Sequence, residues 1–217
     1  MAKDITNGSY HEHAKEIADK IQNLDSDGNL TGNVTGNLTG DVTGNIVTTA
    51  SAAEHGAGAI GTAATPTTTR RTENGVIITQ TKIDITGLGC KGAAANDVIG
   101  LPAGGVAYIG RNVVATNGII FKAELSCIEA PAGSGSATAD IDVATNASAE
   151  LIYDGAGGAA KLINGGGIVA GQTFANLVPS VTANDYFYLV EADTAATDGV
   201  YTAGQYILTT YGHALLA

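Results

Sequence analysis

The chain has 217 residues and a mass of 21.6 kDa, room for one core-bearing domain with appendages rather than two full enzymes. Ten basic against 21 acidic side chains leave a formal charge of -11, so the surface repels phosphate backbones and direct nucleic-acid binding is disfavoured. Charged residues make up only 14%, Gly numbers 30 and Trp is absent, which implies solubility through Asn, Thr and Ser and a poor stacking platform for bases or sugars.

The N-terminal MAKDITNGSYHEH has no apolar run ahead of its charges, and no stretch approaches the roughly 18 apolar residues of a spanning helix. The expectation is a protein made without Sec export or membrane insertion. Residues 1–27 predict one short coiled-coil helix for attachment and trimerisation. Ser9 and Glu12 fit a capping box, and Tyr10, Ala14, Ile17, Ile21 and Leu24 then recur at spacings of 4, 3, 4 and 3. Glu16 and Lys20 form a favourable i,i+4 pair on the other face. Two heptads are marginal alone, so the helix needs a partner.

From Gly28 to Val47 the sequence reads GNLT, GNVT, GNLT, GDVT, GNIV. A helix would contain Gly28, Gly32, Gly36, Gly40 and Gly44, each about 1 kcal/mol worse than Ala. In an extended chain a period of four places Leu30, Val34, Leu38, Val42 and Ile46 on the same face as the glycines, with Asn and Thr on the other. A single ribbon has no second layer to cover that apolar edge, whereas identical chains wound about a common axis do, and Gly lets them approach. Three chains are expected, as Ile in the preceding seam also favours trimers. Residues 28–47 thus predict a trimeric β stalk, at most ~66 Å long at about 3.3 Å per residue.

The sequons at Asn29, Asn33, Asn37 and Asn146 lack an export signal to give them a purpose. Asp25, Asp27 and Asn29 begin like a calcium loop, yet Leu30 and Gly36 stand where Gly and Glu are required. Residues 48–69 are Ala, Gly and Thr with little charge and read as a linker. From 70 to 217, short alternating runs bounded by Gly, Asn, Asp and Pro predict a β-sandwich or jelly-roll-like domain. The runs are 76–86, 106–109, 118–129, 137–143, 150–153, 186–191 and 205–216. In the third, Ile119, Phe121, Ala123, Leu125 and Cys127 are expected on one buried face.

No constellation reads as an active site, so the expectation is a non-enzyme without cofactor or metal. Gly87, Gly89 and Gly92 make a formal GxGxxG, but no room for a helix follows before Gly100 and Pro102. His11 and His13 are two apart on the expected helix and cannot share a metal, and His213 has no visible nucleophile beside it. Asp140 and Asp142 project on one strand face and read as solvated. Cys90 and Cys127, 37 positions apart, read as small buried side chains.

The tandem GNLTGNVTGNLTGDVTGNI resembles the stalk repeats of tailed-bacteriophage fibre and appendage proteins, firmly over residues 28–47 and by architecture in the flanks. The resemblance implies a homotrimeric virion structural protein on the outer capsid surface, a head fibre or decoration (cement) protein whose partners are itself and the major capsid protein. The alternative is a tail-associated receptor-binding fibre whose β domain recognises a host surface glycan, with Tyr153, Tyr186, Tyr188, Tyr201 and Tyr206 as a stacking platform.

Overall fold

A computed structural model describes residues 48–49, 54–91, 95–135, 139–155, 160–177, 179, 181–191 and 198–213. The chain divides between Gly44 and Asn45, and every described residue lies in the second unit. The expected N-terminal helix, the repeat ribbon and all ten seam residues from Tyr10 to Ile46 lie outside the described residues.

The described part is mainly β, in two antiparallel sheets. The larger orders its strands β1 (Thr48–Thr49), β2 (Thr67–Glu73), β3 (Val76–Asp84), β11 (Gly199–His213), β6 (Ile119–Gly135) and β9 (Thr173–Asn176), with β4 (Gly89–Cys90) attached to β11. The smaller runs β5 (Tyr108–Arg111), β10 (Tyr186–Glu191), β7 (Ile141–Asn146) and β8 (Lys161–Ile163). One helical turn, α1 (Val114–Asn117), and a 3₁₀ turn at Ala57–Ala59 are the described helical pieces. Asn74 and Gly75, both at positive φ, close the β2–β3 hairpin, the pair that a two-residue turn of matching twist demands.

The sheets share one core. Ile83, Leu125, Tyr206 and Leu208 of the larger meet Ile109, Ile141, Val143, Phe187 and Leu189 of the smaller. The far side of the smaller sheet is covered too. Val98 and Ala107 join Ala144, Tyr188 and Val190 in a second buried cluster with Leu151 packed against it, and Val98 pairs edge-to-edge with Val190 as a further rung of the sheet. β7 and β10 are therefore buried on both faces.

Residues 54–69, expected within a linker, belong to the β unit. Gly56 N–H donates to the Tyr108 carbonyl at 2.8 Å, Gly58 N–H to Val106 at 2.7 Å and Thr62 N–H to Thr86 at 2.8 Å. A Cβ on Gly56 would lie 2.0 Å from the Val106 oxygen and one on Gly58 2.3 Å from the Gly105 oxygen. The small residues thus mark close backbone packing instead of a flexible connector.

The expected inner face of β6 holds for Ala123, Leu125 and Cys127, all buried, and fails at its start. Register shifts between Tyr211 and Gly212, so Gly212 faces Ile120 and His213 faces Ile119. Ile120 is buried instead of Ile119, which is 57% exposed, because the extra residue of a β-bulge reverses the alternation. Gly212 is required there, since a Cβ would sit 1.9 Å from the Asn117 carbonyl oxygen. Gly212→Ala is expected to cost about 2–3 kcal/mol in urea unfolding, while Gly167→Ala, where nothing lies within 4 Å, stays near neutral.

Candidate functional site

The candidate site is a cleft of about 250 Å³ at the margin where β5 lies over β3, lined by Glu54, Arg70, Tyr108, Arg111, Val113, Thr116 and Tyr186. The opposite margin is stitched shut, with Asn176 Nδ2 donating to the Leu162 carbonyl at 3.0 Å between β9 and β8.

β5, β10, β2 and α1 build the cleft. On one wall Tyr186 of β10 pairs across the ladder with Arg111 of β5, which sets the Arg111 guanidinium 5.1 Å from the Tyr186 ring centroid. A bulge between Phe187 and Tyr188 brings Tyr108 beside both tyrosines, edge-to-face at 5.0 Å from Tyr186 and 6.5 Å from Tyr188. Arg111 Nη2 also donates to Asn184 Oδ1 at 3.1 Å. Among the described residues no carboxylate pairs with Arg111.

The floor comes from β2. Arg70 faces inward and donates to Glu54 through both terminal nitrogens, Nη1 to Oε1 at 2.6 Å and Nη2 to Oε2. This planar fork, largely buried, neutralises the floor and fixes the Glu54 carboxylate. Behind it the space narrows onto Thr79, Thr81 and Thr210, and Asn117 Nδ2 donates to Thr79 Oγ1 at 3.3 Å. The third wall is Val113 with Thr116 of α1, held by Val113 N–H donating to Asn117 Oδ1 at 2.9 Å. Two aromatic rings, fixed polar groups and one unneutralised guanidinium suit the binding of a small polar ring.

A second group of ionisable side chains gathers at the far end of β10. Glu191 is fully buried. It accepts from the Lys91 backbone N–H at 3.1 Å through Oε1, and its Oε2 has no partner. Burial pushes its carboxyl up to about 7, the Lys91 N–H works the other way, and the nearby carboxylates of Asp97, Asp154 and Asp198 add to the rise. Lys91 Nζ is paired to Asp154 at 2.8 Å and sits above its usual range for that reason. No group of three or more His, Cys, Asp or Glu able to hold a metal occurs among the described residues.

The sign of the pH effect follows from the raised carboxyl. Below about pH 4.5 Glu191 is neutral in the folded and unfolded chain alike, and its burial is fully compatible with folding. Between about 4.5 and 7 the unfolded chain ionises first, so stability falls as pH rises and the loss is complete above about 7. Glu191→Gln is expected to raise stability by about 2 kcal/mol at pH 8 and to leave it unchanged near pH 4, read by thermal unfolding at both.

The structure redistributes the residues singled out from sequence. Tyr188, Tyr201 and Tyr206 are core side chains, so they form no platform with Tyr153 and Tyr186. Asp142 is 1% exposed and receives Lys161 Nζ and the Gly165 N–H, both at 2.7 Å, so it is not part of a solvated face. That side of the sheet carries the second buried cluster, with Ala144 of the same strand in it. Gly87 takes φ +86 against Thr62, and Gly89 N–H donates to the Gly100 carbonyl at 2.8 Å, turn and bridge roles with no helix following among the described residues. Cys90 and Cys127 are buried thiols, and His213 stacks on Phe121 at 4.3 Å. Sequence reading missed Glu54, Arg70, Tyr108 and Arg111, which come together from three separate segments. The available signal was the paired Arg70 and Arg71 in TTTRRTE, two cations in a stretch with almost no other charge.

No helix among the described residues is long and apolar enough to cross a membrane. No protein-family model, curated protein or solved structure matches the chain.

Proposed function

We propose that the chain is a homotrimeric appendage of a tailed-phage virion, a head fibre or decoration protein mounted on the outer capsid surface through the major capsid protein. Its role is structural. One observation carries this reading: five tandem glycine tetrads, whose apolar edge needs sister chains to cover it, precede a two-sheet β unit. In this reading 1–27 trimerises and attaches, 28–47 forms the stalk, and the β unit is a sandwich of jelly-roll type carried as the knob. An acidic exterior suits exposure to solvent rather than contact with packaged genome.

The second reading, a tail-associated fibre that recognises a host glycan, is favoured by the Tyr108, Tyr186 and Arg111 cleft. Gold-labelled antibody to the β unit on intact particles separates the two. Dense label over the head is the expected result, and label confined to the tail would replace the first reading with the second.

A further inference from the structure

We propose that the cleft at the β5 margin binds a saccharide bearing a carboxylate, with Arg111 taking the acid group and the Tyr108 and Tyr186 rings flanking the sugar.

The charge pattern supports an anionic group. In a chain of net charge -11, Arg111 has no carboxylate partner among the described residues, whereas Arg70 in the same cleft is neutralised by Glu54. The floor is thus neutral and the rim carries one fixed positive charge. Arg111 is exposed, and its position over Tyr186 and its bond to Asn184 hold the guanidinium at the rim. A guanidinium presents parallel N–H donors that match both oxygens of a carboxylate.

The rest of the lining selects a sugar ring over a peptide. Tyr108 and Tyr186 are half-buried, with rings inclined at 63° to one another, so each presents apolar area beside a phenol hydroxyl. That combination suits the C–H face and hydroxyl rim of a pyranose. Among the described residues Val113 is the sole aliphatic side chain lining this cleft, leaving little for a peptide's apolar residues. An incoming strand also finds the start of this edge in use, because the Tyr108 carbonyl at the head of β5 accepts from Gly56 N–H and the Val106 carbonyl just before it from Gly58 N–H. A volume of about 250 Å³ lies just below the usual range for ligand pockets and fits a mono- or disaccharide end, not a long chain.

This inference concerns the β unit and deepens the glycan-recognising reading. It holds or fails whether or not the chains trimerise. The test is saturation-transfer NMR and titration calorimetry on the full chain with four probes: tetrasaccharides of hyaluronan, alginate and polygalacturonate, and sialyllactose. Their carboxyl-reduced forms and sodium acetate serve as comparisons. At least one acidic probe is expected to bind at least about tenfold more tightly than its reduced form, with acetate failing to displace it. Arg111→Gln, a surface change, is expected to erase that difference, while Tyr186→Leu weakens both forms. Failure of all four probes to bind, equal binding of acidic and reduced forms, displacement by acetate, or full affinity in Arg111→Gln would each overturn the proposal. Sedimentation of the same samples reports the stalk separately, so loss of one reading is distinguishable from loss of the other.

Discussion

Val34→Asp and Leu38→Asp are each expected to convert the proposed trimer into single chains. If the repeats wind about a three-fold axis, either substitution sets three carboxylates facing one another where apolar side chains met. Moving an ionised carboxylate out of water costs several kcal/mol even after relaxation, and here no cation compensates it. Like charges at close range add to that cost. Asn33→Asp, which the four-residue period sets on the other face if the tract is extended, is expected to leave the proposed trimer intact, so the contrast isolates the face rather than the charge. The acid form gives a further handle. Carboxyls crowded at an axis titrate above their ordinary range, so lowering the pH neutralises them in the assembly first and trimers of the Val34→Asp chain should return. Sedimentation velocity at pH 8 and pH 4 reads all three outcomes.

The second large effect lies in the β unit. Lys161 Nζ and Asp142 Oδ2 are 2.7 Å apart with side chains 10% and 1% exposed, and the Gly165 N–H supplies Asp142 with its other bond. Lys161→Met leaves that carboxylate buried against one amide. The expected loss is about 3–5 kcal/mol, or about 6–20 °C in melting temperature for a chain of this size. Pairing it with Asp142→Leu removes both charges and is expected to recover most of the loss, since an apolar pair of similar volume tolerates the same site. Exposed pairs such as Arg71 with Glu73 should show no comparable penalty when broken.

These two predictions sit at opposite ends of what the sequence made readable. The β class was legible from alternation alone, and the run at 186–191 matches β10 residue for residue. β3 and the middle of β6 followed from the same period, because one face of each meets the shared core. β2 was not legible. Its seven residues, TTTRRTE, include no apolar side chain, since its inner face looks onto the Arg70–Glu54 floor and the threonines beside it. Asp142 misled for a related reason. Period two distinguishes the faces of a strand but not whether the second face is buried, and here that face carries a second buried cluster that includes Ala144 of the same strand.

The cleft was hidden by topology. Glu54, Arg70, Arg111 and Tyr186 are spread over more than half of the chain, and only the order β5, β10 in one sheet and β2, β3 in the other brings them to one margin. A tyrosine count pointed toward a platform, yet Tyr188, Tyr201 and Tyr206 fill the core of a protein with no Trp and three Phe. Burial raises the Tyr188 hydroxyl to about 12, as expected for an aromatic filling the interior rather than a rim. The pair that does line a cleft, Tyr108 with Tyr186, depends on a bulge that no period announces.

The most direct measurement is the mass of the intact chain in solution by sedimentation equilibrium at micromolar concentration. Three times the 21.6 kDa of one chain is the expected result. A single species of 21.6 kDa with the 28–47 tract protected from proteolysis would contradict it.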